Sequence, residues 1–176
     1  SVVVHSASPK IPAIHFNTRF IVTEKAWFGG GTDLNPALPN AADCQFFHEQ
    51  LKACCDQYGA DYYQRFKKWC DEYFFIKHRH CPRGVGGIFY DYLEQNLEHN
   101  LAFTKALGKS FIETYKEIVR RHMFEDFSSQ EKATQLQKRG YYAEFNLLYD
   151  RGTKFGLMTD GNIEAILMSL PPIASW

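Results

Sequence analysis

Apolar and polar positions along the chain fall into blocks of two periods. Ala13 to Val22 alternates strictly. Ile14, Phe16, Thr18 and Phe20 fall on one side of an extended chain, and His15, Asn17 and Arg19 on the other. This predicts a strand whose polar face carries three different functional groups in a row. Asp43 to Tyr58 is helical in period, with Cys44, Phe47, Leu51, Cys54 and Tyr58 on one stripe, Asp43 placed to cap it and Gly59 placed to close it. Asp61 to Lys77 repeats the helical pattern through Tyr62, Phe66, Trp69, Cys70 and Tyr73.

Between the first strand and the first helix, Trp27 to Asp33 holds three glycines and reads as a tight turn or a close approach to a ligand. Arg83 to Asp91 is a glycine-rich approach to a strand. Glu94 to Met123 is helical, with a break near Gly108-Lys109-Ser110, and Gln130 to Lys138 is a polar helix ending at Gly140. Tyr141 to Tyr149 alternates again, Asp150-Arg151-Gly152 signals a turn, and Thr153 to Met158 returns, which predicts a β-hairpin. Asn162 to Leu170 is a short apolar helix stopped by Pro171-Pro172. Strand blocks mixed with helix blocks predict an α+β fold in one domain over residues 1–176.

Composition supports a packed interior, since 45% of the residues are hydrophobic and 16% aromatic. Twenty basic residues balance twenty acidic ones, so nothing electrostatic favours nucleic acid or an anionic membrane, although a local Arg cluster could still hold a small anion. No apolar run is long enough to cross a bilayer, and Ser1 to His5 do not read as a signal peptide. The five cysteines form no CxxC pair and read as reduced thiols of an intracellular protein.

Six ordered strings carry a family resemblance. They run His15 to Arg19, Trp27 to Leu34, Phe66 to Arg79, Arg83 to Phe89, Glu144 to Thr153 and Ile166 to Pro172. In order and spacing the chain resembles the oxygen-dependent coproporphyrinogen-III oxidases over its whole length, as the central and late part of a longer protein that would also have an N-terminal part and an extreme C-terminus. The resemblance implies a large, flat antiparallel sheet flanked by α-helices on both faces, and a homodimer formed through approximately residues 142–176. It implies an oxidoreductase of haem biosynthesis that converts two propionates of coproporphyrinogen III to vinyl groups, with O2 as oxidant and no required cofactor. The compartment would be cytoplasmic, or the mitochondrial intermembrane space in a eukaryote. The competing reading is a non-catalytic tetrapyrrole-binding or dimer-forming member of the same family.

By the same resemblance, His15 is the proton donor and Asp33 the carboxylate that takes a pyrrole N–H proton. Arg19 serves both catalysis and binding. Substrate contacts fall to Ser1, to Asn17-Thr18-Arg19 and to Asp160-Gly161-Asn162, where Asn162 replaces the usual arginine. His5, His15, His48 and His78 match positions assigned to a divalent metal. Their spacing has no preformed metal motif, and on the residues alone they read equally well as structural histidines. Arg79, Arg83 and Arg151, each taken singly, read as surface salt-bridge partners.

Overall fold

The structure is a computed structural model describing residues 1–176. Four antiparallel strands form one sheet, in the order β1 (Val2–Val4), β2 (Ala13–Val22), β3 (Ala26–Asn35) and β6 (Gly87–Leu93). Two short strands, β4 (Phe75–Ile76) and β5 (Cys81–Pro82), pair separately. The helices are α1 (Ala41–Asp56), α2 (Tyr62–Tyr73), α3 (Leu97–His122), α4 (Ser129–Leu148), α5 (Arg151–Met158) and α6 (Ile163–Leu167). The α+β expectation stands, with a sheet of four strands in this chain.

The alternation of β2 sets the two faces of the sheet. Ile14 joins Leu34, Ile88 and Tyr90 against Phe47 and Leu51 of α1, Phe66 of α2, and Phe103, Leu107 and Ile118 of α3. This is the main core, and each fully buried Leu, Ile or Phe in it contributes about 1.5–3 kcal/mol. The opposite face is covered only in part. Phe89 packs there with Cys70, Phe74, Ile76 and with Phe145 of α4, leaving His15, Asn17 and Arg19 of β2 half-buried. The helices therefore cover both faces unequally.

Several expected elements differ. Trp27 to Asp33 is not a turn but the body of β3, in continuous register with β2 from Ala26 to Asn35. Its glycines are demanded by crowding rather than by chain reversal. A Cβ at Gly30 would lie 2.6 Å from the Asn17 carbonyl oxygen and 2.9 Å from the Tyr90 hydroxyl. The α3 helix runs unbroken through Gly108, and α2 stops at Tyr73, so His78 lies on a short 3-10 turn. Asn40, not Asp43, caps α1, its Oδ1 accepting the Asp43 N–H at 3.1 Å, while Asp43 is buried against Arg121 and His122.

The largest correction concerns residues 141–158, which form helices instead of a hairpin. The alternating aromatics suggested a strand. The positions actually buried are Gln135, Arg139, Gly140, Tyr142, Ala143, Phe145 and Asn146, a helical stripe, and Leu147 and Leu148 face outward. Ser128 and Glu131 start α4 with a reciprocal capping box. The helix passes through Gly140 because the chain end packs there: a Cβ would meet the Ser175 carbonyl oxygen at 2.5 Å.

Candidate active site

Antiparallel pairing sets His15 opposite Asp33, Asn17 opposite Gly31 and Arg19 opposite Gly29 on the polar face. Cross-strand neighbours on one face are in side-chain contact. His15 Nδ1–H donates to Asp33 Oδ1 at 2.9 Å, which leaves Nε2 presenting its lone pair. Asn17 Nδ2 and Ser1 Oγ each donate to that Nε2 at 3.3 Å. The imidazole is thus fixed by a carboxylate behind it and presents one nitrogen at the surface of the site.

Asp33 is almost fully buried. Its second oxygen accepts from Arg83 Nη2 at 2.5 Å and from Asn35 Nδ2 at 2.9 Å. Burial alone would raise its pKa, but the Arg83 charge and the hydrogen bonds from His15 and Arg83 outweigh it and hold the carboxyl well below the usual range. Arg83 is equally buried, with 2% of its side chain exposed, so the expectation of a surface salt bridge is wrong for it. Its guanidinium lies 4.0 Å from the Phe74 ring centre, 4.4 Å from that of Tyr142 and 4.9 Å from that of Phe145, and Nη1 donates to Asn146 Oδ1 at 2.8 Å. Burial opposes the charge on Arg83, and the Asp33 carboxylate more than restores it.

Local backbone explains how Arg83 gets there. The Arg83 N–H donates to Phe74 O at 2.9 Å, and Val85 N–H donates to Leu34 O at 2.9 Å. Gly86 adopts φ +79°, a left-handed conformation that favours glycine. A Cβ at Gly84 would collide with the Leu34 carbonyl oxygen and one at Gly87 with the Thr32 carbonyl oxygen, so these two positions can lie against the end of β3 only as glycine. The glycine-rich approach was visible in the sequence; the arginine it delivers beneath Asp33 was not recognised.

Beside His15 and Arg83 lies a cavity of about 270 Å³, lined also by Ser1, Phe74, Tyr142, Asn146, Asp150, Thr153, Ile166 and Ser169. Helices α5 and α6 form its outer wall. Asp160, Gly161 and Asn162 do not line it. They make the α5–α6 turn, where Asn162 Oδ1 accepts the Ala165 N–H at 3.3 Å as an N-cap. Thr18 alternates to the opposite face of β2, in a groove with Phe16, Leu101 and Thr104 that Arg19 also borders. Arg19 stands on the site's face, its Nη2 donating to Asp91 Oδ2 at 2.5 Å.

The four histidines expected at a metal do not assemble, and no group of three or more His, Cys, Asp or Glu side chains is arranged to hold one. His5 Nε2 donates to Ser169 O at 3.0 Å. His48 Nε2 donates to Val85 O at 2.9 Å, and its Nδ1 accepts from the Tyr63 hydroxyl at 3.1 Å. His78 is held on both nitrogens, at 2.7 Å each, by Glu144 and the Tyr149 hydroxyl. Within this chain, these residues do not fit a shared metal. Arg79 pairs with Glu144, which also accepts from Trp176 Nε1 at 2.8 Å.

Residues 1–176 match the family model described as coproporphyrinogen III oxidase from end to end. The chain belongs to the coproporphyrinogen III oxidase family. It is 58% identical over 177 residues to the oxygen-dependent coproporphyrinogen-III oxidase of Rickettsia bellii, covering all of this chain and 63% of that protein. With the Rickettsia africae protein of the same name it shares 60% identity over 173 residues, covering 98% of this chain and 62% of the relative. The chain therefore spans less than two thirds of the length of these coproporphyrinogen oxidase relatives.

Proposed function

We propose that this chain supplies the substrate face of an oxygen-dependent coproporphyrinogen-III oxidase. The activity is oxidative decarboxylation of two propionates of coproporphyrinogen III to vinyl groups, giving protoporphyrinogen IX. Each propionate loses CO2, and the electron pair and two hydrogens it gives up reduce one O2 to hydrogen peroxide. The observation that carries this reading is the buried Arg83–Asp33–His15 line, which ends at a single imidazole nitrogen beside a cavity, in a chain of this family.

The geometry favours a division of labour different from the one expected of Asp33. Both of its oxygens are engaged and it is held ionised, so it is poorly placed to take a pyrrole proton itself. His15 Nε2 borders the cavity and is held only by the longer 3.3 Å contacts from Ser1 and Asn17, which a substrate can displace, so it is the better candidate for proton transfer, with Asp33 setting its tautomer and angle. Asn17 orders the same nitrogen. Arg19 lies four residues along β2 from His15, roughly 13 Å away by strand rise. One nitrogen and one cation at that separation suit a macrocycle lying along the strand better than a single small acid. At about 270 Å³ the cavity is smaller than most ligand pockets, of roughly 300–1,000 Å³, and suits one arm of the substrate.

All five cysteines are free thiols, which supports a reducing compartment such as the cytoplasm, and no helix is long and apolar enough to cross a membrane. A homodimer contact through residues 142–176 is supported by the exposed Phe155, Met158, Met168, Ile173 and Trp176, whereas Tyr142 and Phe145 are already used inside the chain.

The test supplies coproporphyrinogen III in air and follows the fluorescence of oxidised product. Turnover that falls at least a hundredfold in His15→Ala supports the reading. Absence of product from the chain extended to the length of its relatives, under conditions where a relative works, refutes it.

A further inference from the structure

Strand β6 is not regular where it passes Arg19. Its register with β3 runs from Tyr90 opposite Gly30 to Leu93 opposite Phe28, so Asp91 and Tyr92 both face the single residue Gly29. This is a β-bulge, a device that re-aims a side chain. Tyr92 has φ +53°, a left-handed value that is strained for a residue with a bulky side chain. The bulge turns Asp91 back across β3. There its carboxylate accepts from Arg19 Nη2 at 2.5 Å, from Trp27 Nε1 at 3.2 Å and from the Tyr92 N–H at 3.0 Å. Such a reach is open only because Gly29 has no side chain. A Cβ there would lie 2.5 Å from Asp91 Oδ1 and 2.8 Å from Arg19 Nε.

We propose that Asp91, presented by the bulge through the gap at Gly29, is the positioning residue that aims Arg19 at a substrate carboxylate. An arginine fork has two usable edges, and a carboxylate on one of them fixes the direction of the other. Asp91 occupies one edge and Phe89 supports the plane, its ring centre 5.6 Å from the guanidinium carbon. What remains is a directed set of donors over the glycine floor. Without Asp91 the same cation samples many rotamers, and ordering it on binding costs free energy. Strain at Tyr92 and the missing side chain at Gly29 are then explained by one purpose, a rigid placement of Arg19.

This inference rests on the reading that the polar face binds a tetrapyrrole, and the experiment separates the two. Coproporphyrin, a tetracarboxylate that does not turn over, is titrated by fluorescence into the wild-type chain, Arg19→Ala, Asp91→Asn, Gly29→Ala and the double variant Arg19→Ala/Asp91→Asn. Asp91→Asn is expected to weaken binding about tenfold, an effect in the range of one charge-assisted contact. In the Arg19→Ala background the same change is expected to have no further effect, because a positioning residue acts only through its partner. Gly29→Ala, which separates the pair while keeping both charges, should resemble Asp91→Asn; if it does not fold, the isosteric Asp91→Asn still decides. Unchanged or tighter binding by Asp91→Asn would mean that Asp91 is idle or competes with the ligand for Arg19, and overturns this inference alone. Additive losses in the double variant overturn it as well. No binding by the wild-type protein, extended to the length of its relatives, overturns both this inference and the functional reading.

Discussion

Replacing Arg83 with Met removes one buried charge and keeps most of the packing. The Met side chain can still fill space among Phe74, Tyr142 and Phe145, but Asp33 is left with no cation beside it. Removing one partner of a buried pair costs about 3–5 kcal/mol, because the other charge remains out of water. A surface pair would cost about 0–1 kcal/mol, so the magnitude distinguishes the two placements. The pH dependence gives a second, independent sign. In the wild type the folded pKa of Asp33 lies below its ordinary value of 3.8. Its contribution is therefore present above that value and lost as pH falls through the folded one. In Arg83→Met burial dominates and pushes the carboxyl up. The folded state then binds a proton that the unfolded chain does not, and stability rises as pH falls toward 3.8. Urea unfolding at pH 7 and pH 5, followed by tryptophan fluorescence, should show the full deficit at pH 7 and a smaller one at pH 5. The double variant Arg83→Met/Asp33→Asn, with neither charge, should recover at least half of the loss. A deficit below about 1 kcal/mol, or one that does not change with pH, refutes the buried-pair reasoning.

Two further predictions concern the scaffold. His122 donates to Asp43 at 2.5 Å and to Glu125 at 2.7 Å; burial lowers its pKa, but these carboxylates raise it overall. Its stabilising effect is fully present below the unfolded value of 6.5 and is lost as pH rises through the raised folded value. His122→Gln should cost about 1.5–3 kcal/mol at pH 6 and flatten the thermal stability profile between pH 6 and 9; a slope equal to wild type would refute this. Glycines at crowded and open positions should behave oppositely. Gly30→Ala should lose about 1–3 kcal/mol through overpacking. Gly108→Ala, where the added carbon meets only Phe16 Cζ at 3.7 Å, should gain about 0.5–1 kcal/mol, and denaturant midpoints that move together would contradict the packing argument.

The part of the site that a strand pattern can carry was legible. Alternation over β2 set His15, Asn17 and Arg19 on one face, and that face is where the structure has them. Arg83 was illegible because its burial depends on Asp33, Phe74 and Phe145, which arrive from three separate segments. Nothing adjacent to it in the sequence announces a buried charge. Alternating aromatics misled the reading of residues 141–149, where two periods compete and only packing against His5, Phe74 and Arg83 selects the helical one. Asp160 to Asn162 stand differently, away from the cavity beside His15. Their role was inferred by resemblance, and in this chain the Asn162 side chain is spent on capping a helix.

A buried ion pair is seldom retained for stability alone, since apolar residues of similar volume often do as well. Here the pair has a directional output. Arg83 keeps Asp33 ionised, ionised Asp33 can only accept, and so His15 must carry its proton on Nδ1 and present Nε2. The buried charge of Arg83, acting through Asp33, thereby determines which nitrogen faces the cavity. The Arg19–Asp91 pair on the same face repeats the arrangement, with a carboxylate holding one edge of a guanidinium. In both places the rigid sheet carries the acting side chain, and a second carboxylate removes its remaining freedom. Side chains held in this way act through orientation and electrostatic placement.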